Sequence, residues 1–250
     1  MAPLEVAILC ASFFVVATLY TTVGHAGASG YLAMMALVGL APEMMRPTAL
    51  TLNILVAALT VYRFRRARYF HWSGLWPFLL GSVPFAAAGG IQSLSRGTYY
   101  VTMGIVLVFA AAYLVWRAIG LRTPMEEGVV RVRKIPAVFV GCAIGFVSGL
   151  IGVGGGIFLS PVLLMLGWAG PKTTAGISAP FILVNSAVAL AAGSLTVQTL
   201  PHELPLLAAG ALAGAFLGTW LGLERLNQKG LLMTLAIVMS LAGLKLVLTA

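Results

Sequence analysis

The sequence predicts an all-α membrane protein made of two inverted-topology repeats, each a glycine-broken helical hairpin plus three transmembrane helices. The first observation is composition: of the 250 residues, 60% are apolar and 8% are charged, and the mean hydropathy is +1.03. A soluble domain carries roughly 25% charged residues, so the composition excludes soluble enzymes and secreted modules. The second observation is a series of long apolar segments, which makes the spanning elements helices. The third is a similarity between the two halves of the chain.

Ten apolar segments follow one another, and a helix needs about 20 residues to cross a bilayer. Segments 28–41 and 155–169 are too short to cross comfortably, and each follows a glycine-rich run. We expect each short segment to form a broken hairpin with the segment before it, and three further segments in each half to be transmembrane helices. The ten segments are 4–22, 28–41, 47–62, 73–92, 98–116, 136–151, 155–169, 173–193, 203–222 and 230–249.

The polar stretch 117–135 divides the chain near its middle and separates two similar halves. A shift of 128 positions places Gly24 on Gly152 and Gly27 on Gly155. Divergent internal repeats of this kind are typical of transporters. The predicted units are a first repeat at 1–119, a basic cytoplasmic linker at 120–135 and a second repeat at 136–250, which together form one transport domain.

The basic residues predict the orientation of the chain. The net charge is +9, but the bases lie in short loops between apolar segments, so membrane topology explains them and nucleic-acid binding is not expected. Loop 63–72 and the central loop are basic and are therefore predicted to be cytoplasmic, with the N- and C-termini outside. The two halves then have opposite orientations. Inverted units of this kind can exchange inward-open and outward-open shapes around a central site.

The two glycine breaks predict an anion site in the middle of the membrane. Non-helical backbone is tolerated at that depth only where protein or a water-filled cavity satisfies its polar groups. The short helix after each break presents free N–H groups and the positive end of its dipole, which favours an anion. The alternative is that the glycines only permit close packing or a kink. The substrate-binding residues expected here are Gly24, His25, Ala26, Gly27, Gly152, Gly154, Gly155 and Gly156.

Polar side chains near the breaks complete the predicted site. His25 is the only ionisable side chain expected at membrane depth, and such a group is a functional candidate; the alternative is a neutral imidazole bonded to backbone carbonyls. Asn53 and Asn185 can donate to an oxyanion, or can form interhelical hydrogen bonds instead. The remaining candidates, for which a hydrogen bond to their own helix is the common alternative, are Thr48, Thr51 and Ser178.

Two further features have a weaker link to the site. Arg46 and Lys172 lie at corresponding mouths of the two halves, where they either attract anions or anchor the chain at the interface. One predicted helix also carries glycine at every fourth position, which lets a neighbouring helix approach closely, either between the halves or between protomers. These glycines are Gly210, Gly214, Gly218 and Gly222.

The glycine-rich runs resemble a known family. Residues 152–167 (GVGGGIFLSPVLLMLG), followed by PKTTA at 171–175, are similar to the TauE/SafE family of sulfite and organosulfonate permeases. The run 24–42 looks like the same motif, with alanine at positions 26 and 28 where the second half has glycine. The resemblance implies transport of small sulfur-containing anions, such as sulfite, sulfoacetate or thiosulfate, across a bacterial inner membrane.

The sequence therefore predicts a secondary transporter, not an enzyme, which moves a sulfur oxyanion or sulfonate by alternating access. We expect no catalytic residue, metal or cofactor, and the only partners expected are the anion, the bilayer and, as an option, a second copy of the chain. A passive anion channel is the nearer alternative. An intramembrane serine protease is the other, since residues 27–30 read Gly-Ala-Ser-Gly, but His25 lies on the same turn as Ser29 and not on a partner helix.

The acidic residues bear on how transport is coupled. All six are glutamates, and they lie at segment ends or in the central loop. Proton-driven carriers often use a buried carboxylate. Facilitated diffusion, or proton coupling through His25 or a protonated substrate, is therefore favoured over a carboxylate relay.

Overall fold

A computed structural model describes residues 3–120, 127–194 and 200–224, together with positions 240, 244, 247 and 248. These residues form helices and connecting turns, with one isolated bridge between Val130 and Ala169. The predicted segment 230–249 lies almost wholly outside the described residues. The helices of the described part are α1 (Pro3–Thr21), α2 (Ala28–Val38), α3 (Pro42–Arg66), α4 (Trp72–Ile91), α5 (Arg96–Gly120), α6 (Lys134–Ile151), α7 (Gly156–Met165), α8 (Pro171–Gly193) and α9 (Leu204–Glu224).

Six of these helices are long and apolar enough to cross a membrane: α1, α3, α4, α6, α8 and α9. The helices α2 and α7, and the apolar part of α5 at Gly97–Tyr113, are shorter. The all-helical membrane fold is therefore confirmed. The division into repeats at 1–119 and 136–250 stays a prediction, although the order long, short, long, long occurs in both halves.

Both predicted breaks are present because glycines adopt backbone conformations that other residues avoid. Gly24 and Gly27, between α1 and α2, have φ angles of 79° and 102°. Gly152, Gly154 and Gly155, between α6 and α7, have φ angles of 91°, 74° and 82°. A side chain at such a left-handed position is sterically disfavoured. The prediction that each short helix follows a non-helical break is therefore confirmed.

Glycines also bring helices of different halves into close contact. Three glycines of α6 pack on the α4 backbone: Gly141 on Phe78, Gly145 on Ser82 and Gly149 on Ala86. The residues of each pair are 63 positions apart in sequence. Because this spacing is constant along the contact, α4 and α6 are parallel. Four glycines of α9 pack on α1 in the same way: Gly210 on Cys10, Gly214 on Phe14, Gly218 on Thr18 and Gly222 on Thr22. The residues of each pair are 200 positions apart, so α1 and α9 are also parallel. The predicted packing role of the α9 glycines is confirmed, and their partner is a helix of the other half.

Other contacts fix the directions of the central helices. The start of α3 contacts the end of α4 through Arg46, which bonds to Gly90, so these two helices are antiparallel. Gly74 packs on Ile177, and Gly90 packs on Ala189, so α4 and α8 run the same way. The helices α3 and α9 meet near their C-terminal ends, where Arg63 donates to the Phe216 carbonyl.

The described residues form two hydrophobic cores that do not follow the two halves. One core is built mainly by α1, α2, α3, α5 and α9, and it also reaches Ile151, Val153, Ile157 and Ile182. The other is built by α4, α6, α7 and α8 with the connection before α8. We call α1, α2, α3 and α9 the first bundle, and α4, α6, α7 and α8 the second bundle. Each bundle thus contains one broken hairpin and one helix from the other half.

Candidate functional site

The two glycine breaks meet through His25. This side chain belongs to the first break and is 3% exposed. Its Nε2 lies 3.1 Å from the Gly156 carbonyl oxygen and 2.7 Å from Ser160 Oγ, both on α7. His25 lies beside α7 because α1 ends at Thr21 and the glycine-rich backbone after it turns towards the second hairpin. The breaks are therefore neighbours in the structure.

A short polar chain continues from His25 into α8. Ser160 Oγ lies 3.0 Å from Ser178 Oγ, and both serines are fully buried. Either hydroxyl can donate, and the imidazole nitrogen can donate or accept according to its tautomer. The arrangement can therefore reorient its protons around a bound group without moving heavy atoms.

Asn53 lies beside the second break. A Cβ placed at Gly154 would be 2.5 Å from Asn53 Nδ2 and 2.8 Å from Ser186 Oγ, so only glycine allows these groups so close. Asn53 Nδ2 donates to Ser186 Oγ at 3.3 Å, from α3 to α8. Within the described part of the chain, its Oδ1 is buried and has no hydrogen-bond partner. Asn53 thus forms the interhelical hydrogen bond considered for it and contacts the break, while donation to an oxyanion stays a prediction.

Other predicted side chains do not join this cluster. Thr51 Oγ1 donates to the Pro47 carbonyl at 2.8 Å, and Asn185 Nδ2 donates to the Phe181 carbonyl at 2.8 Å, each within its own helix. The Thr48 hydroxyl is buried and has no hydrogen-bond partner among the residues that the structure describes. The structure therefore gathers His25, Asn53 and Ser178, whereas Thr51 and Asn185 bond within their own helices.

The first turns of α2 and α7 are buried and lack side-chain caps. Each begins after a left-handed glycine, Gly27 or Gly155, and neither N-cap provides a side-chain hydrogen bond. Residues 28–30 and 156–157 are buried. The first N–H groups of a helix have no partner within the helix. Two uncapped N-termini therefore flank the place where the breaks meet.

The contacts of Ser29 bear on the protease alternative. Ser29 Oγ pairs with the Tyr20 hydroxyl at 2.7 Å. His25 Nε2 instead contacts Gly156 and Ser160. These two contacts point Ser29 and the His25 Nε2 atom towards different partners, which does not favour a serine–histidine pair.

Arg46 and Lys172 differ in their surroundings. Arg46 is 8% exposed and donates to four backbone carbonyls, so it is not an interfacial anchor. His25 is therefore not the only buried ionisable side chain in this region, as the sequence had suggested. Lys172 lies at the other end of the helices, with Nζ 5.5 Å from the centre of the Tyr69 ring. Its backbone N–H donates to the Glu127 carboxylate.

Sequence reasoning missed Ser160 and Ser186. Ser160 is four residues after Gly156, so it lies on the same face of α7 as the break. Ser186 is eight residues after Ser178 on α8, which again places both on one face. The spacing was available in the sequence, but the identity of the helix opposite that face was not.

Comparison with known proteins shows the family to which the chain belongs. The family model described as "Sulfite exporter TauE/SafE" matches residues 9–246. The chain is 36% identical over 244 residues to "Probable membrane transporter protein y4hK" of Sinorhizobium fredii (strain NBRC 101917 / NGR234), covering 95% of this chain and 96% of that protein. It is 24% identical over 189 residues to "Probable membrane transporter protein YunE" of Bacillus subtilis (strain 168), covering 68% of each. No solved structure matches the chain. The chain is a multi-pass membrane permease and belongs to the TauE/SafE sulfite exporter family.

Proposed function

We propose that this permease is a secondary transporter that carries a small sulfur oxyanion or organosulfonate by alternating access. The observation that carries the proposal is the contact of His25, in the first break, with Gly156 and Ser160 beyond the second break. Backbone from two separate hairpins is thereby brought to one buried place. Discontinuous helices that meet in this way form the substrate sites of many inverted-repeat transporters.

The charge around the breaks supports an anion as the substrate. Two uncapped helix N-termini, at Gly27 and Gly155, contribute partial positive charge of about half an elementary charge each. No acidic residue occurs in 22–38 or 152–165. An anion would receive backbone N–H groups there and hydrogen bonds from His25 and Asn53. The sulfur chemistry rests on the family to which the chain belongs.

The directions of the helices support inverted repeats. The helices α3 and α8 hold the same place in the two halves but run in opposite directions, as do α4 and α9. A two-fold axis in the membrane plane produces this relation, and two equivalent units related by such an axis can open alternately to either side.

The same directions support a cytoplasmic central loop and an external N-terminus. Because α4, α6 and α8 run parallel, their N-terminal ends lie together. The bases that precede or begin them therefore cluster at one end: Arg63, Arg65, Arg66, Arg68, Arg131, Arg133, Lys134 and Lys172. Basic residues concentrate on the cytoplasmic side of an inner membrane. Protease protection of tags placed at residue 1 and in the central loop tests this orientation.

Flux measurements test the function directly. The purified chain in proteoliposomes is offered sulfite, sulfoacetate, taurine, thiosulfate and sulfate separately. We expect saturable uptake of at least one sulfur anion, stimulated by the same anion loaded on the opposite side. Uptake that rises without saturation would identify a channel, and no uptake of any of these anions would contradict the proposed substrate class.

A further inference from the structure

Polar side chains of the first bundle reach the second bundle at three places. His25 of the first bundle contacts α7, Asn53 bonds to α8, and Arg46 bonds to α4 and α6. Within each bundle, glycines and apolar side chains pack together, beside buried hydrogen bonds such as Ser160 with Ser178 and Tyr20 with Ser29. Arg46 lies at one end of the boundary between the bundles, beside the C-terminal ends of α4 and α6.

Arg46 ties the first bundle to the second at the N-terminal end of α3. Its Nη1 donates to the Gln92 carbonyl at 2.9 Å, and its Nη2 lies 3.1, 2.5 and 2.8 Å from the carbonyl oxygens of Gly89, Gly90 and Gly149. All four acceptors belong to the ends of α4 and α6. One side chain thus holds two helices of the opposite bundle.

The guanidinium is held without a carboxylate. Within residues 3–120, 127–194 and 200–224, the hydrogen-bond partners of Arg46 are these carbonyls alone, and its Nε–H is buried with no partner. The C-terminal ends of α4 and α6 each offer about half a negative charge. An oxyanion binds a guanidinium through two parallel, charge-assisted hydrogen bonds, and these are stronger than bonds to neutral carbonyls.

The position of Arg46 links this contact to the second break. A Cβ placed at Gly152 would be 3.0 Å from Arg46 Cγ, so the side chain lies against the break itself. At the corresponding place in the other half, Gly24 packs against Ala175. Alanine offers neither charge nor donors, so only one of the two mouths has this contact.

We propose that Arg46 is an anion-binding gate residue. It closes the mouth between the bundles at the N-terminal end of α3, and the transported anion opens that mouth by replacing backbone carbonyls as the partner of the guanidinium. The proposal rests on the proposed function for the identity of the anion. Closure by Arg46 does not depend on that identity.

The test uses a cysteine reporter next to Arg46. Cys10 and Cys142 are replaced by alanine in the full chain, and Ala49→Cys introduces a thiol at a fully buried site three residues after Arg46, on the same face of α3. The purified protein in detergent is exposed to a water-soluble maleimide with and without sulfoacetate, which does not react with maleimides. With Arg46 present, we expect slow labelling that accelerates about tenfold on saturation with sulfoacetate.

Substitution of Arg46 separates the two parts of the proposal. In Arg46→Gln, labelling without anion should already be about tenfold faster, and sulfoacetate should change it little. Arg63→Gln is the matched control, since Arg63 lies on the same helix and also bonds to a backbone carbonyl, but within the first bundle; it should label as slowly as the parent. If Arg46→Gln aggregates on gel filtration, Arg46→Lys replaces it, with faster labelling expected because an ammonium cannot satisfy the same set of carbonyls.

The outcomes distinguish this proposal from the proposed function. Equal, slow labelling with and without Arg46 overturns closure by Arg46. Transport of sulfoacetate in vesicles combined with no effect of sulfoacetate on labelling overturns the anion-binding role alone. Failure of all sulfur anions in the flux assay overturns the proposed function, while the anion-free comparison of Arg46 with Arg46→Gln still decides whether this residue holds the mouth closed.

Discussion

At the scale of single residues, the candidate site depends on side chains that cross from the first bundle to the second. His25 reaches α7, and Asn53 reaches α8, whereas Thr51 and Asn185 bond within their own helices. The residues that cross the boundary should govern binding, and those bonded to their own helices should matter little.

The clearest residue-scale prediction concerns His25. His25→Ala removes the side chain that joins the two breaks, and loss of a buried hydrogen-bonding partner costs about 1–3 kcal/mol, or roughly 5–150-fold in affinity. We expect the apparent KM for the transported anion to rise within that range in proteoliposome flux. Ser29→Ala is the control, since Ser29 is equally buried but pairs with Tyr20; its flux should stay close to that of the parent. Equal effects of the two changes would contradict the assignment of His25.

A second comparison uses the two asparagines. Asn53→Ala should weaken anion binding, because the Asn53 amide lies against Gly154 of the second break. Asn185→Ala should not, because that amide bonds to its own helix. Binding is measured by isothermal titration of each purified variant with sulfoacetate. If Asn185→Ala loses affinity for sulfoacetate and Asn53→Ala does not, the anion contacts the face of α8 that carries Asn185, which contradicts the site proposed here.

At the scale of elements, the glycine breaks could be predicted from the sequence, because clustered glycines mark positions where only they can adopt the backbone. The side chains opposite each break could be predicted only in part. Asn53 can be predicted, but Ser160 and Ser186 cannot, because one sequence does not tell which face of α7 or α8 meets the other half. For Arg46 the sequence predicts either attraction of anions at a mouth or anchoring at the interface, and its burial could not be predicted because it depends on carbonyls far away in the chain.

The second break should be more sensitive to side chains than an exposed glycine of similar backbone. Gly155 and Gly167 have φ angles of 82° and 64°. A Cβ at Gly155 would lie 2.8 Å from Phe181, whereas a Cβ at Gly167 would have no atom of the described residues within 4 Å. We therefore expect Gly155→Ala to abolish most flux and Gly167→Ala to keep most of it. Similar losses in both would show that backbone strain alone, and not the site, is responsible.

Helix packing gives a stability prediction at the same scale. Gly214 lies on the α1 backbone at Phe14, while the neighbouring Ala213 is exposed. Gly214→Leu must push α1 and α9 apart, which is comparable to overpacking a core at about 1–3 kcal/mol or more. Its thermal unfolding midpoint in detergent should fall, while that of Ala213→Leu should stay within a degree or two of the parent. A fall of equal size in both would contradict the close contact.

At the scale of the whole molecule, the two hydrophobic cores mix the halves. The predicted repeat rests on glycines and helix lengths that recur along the chain. The exchange of α4 and α9 between bundles was not visible, because it depends on which distant helices pack together. If the two sequence halves moved against each other during alternating access, α1 would have to slide along α9 and α4 along α6. Glycines bring the backbones of both helix pairs into direct contact, which opposes such sliding. We therefore expect the bundles, and not the halves, to move as units.

A single cross-link distinguishes these two movements. A Cβ placed at Gly210 would be 2.8 Å from Cys10 Sγ, so Gly210→Cys in a chain with Cys142→Ala can form a disulfide with the native Cys10. This bond joins the two halves but stays within the first bundle. If the bundles move, sulfoacetate flux after oxidation should equal flux after reduction, with bond formation verified by mass spectrometry. Flux that is lost on oxidation and restored by a reductant would show instead that α1 and α9 must separate, as movement of the two halves requires.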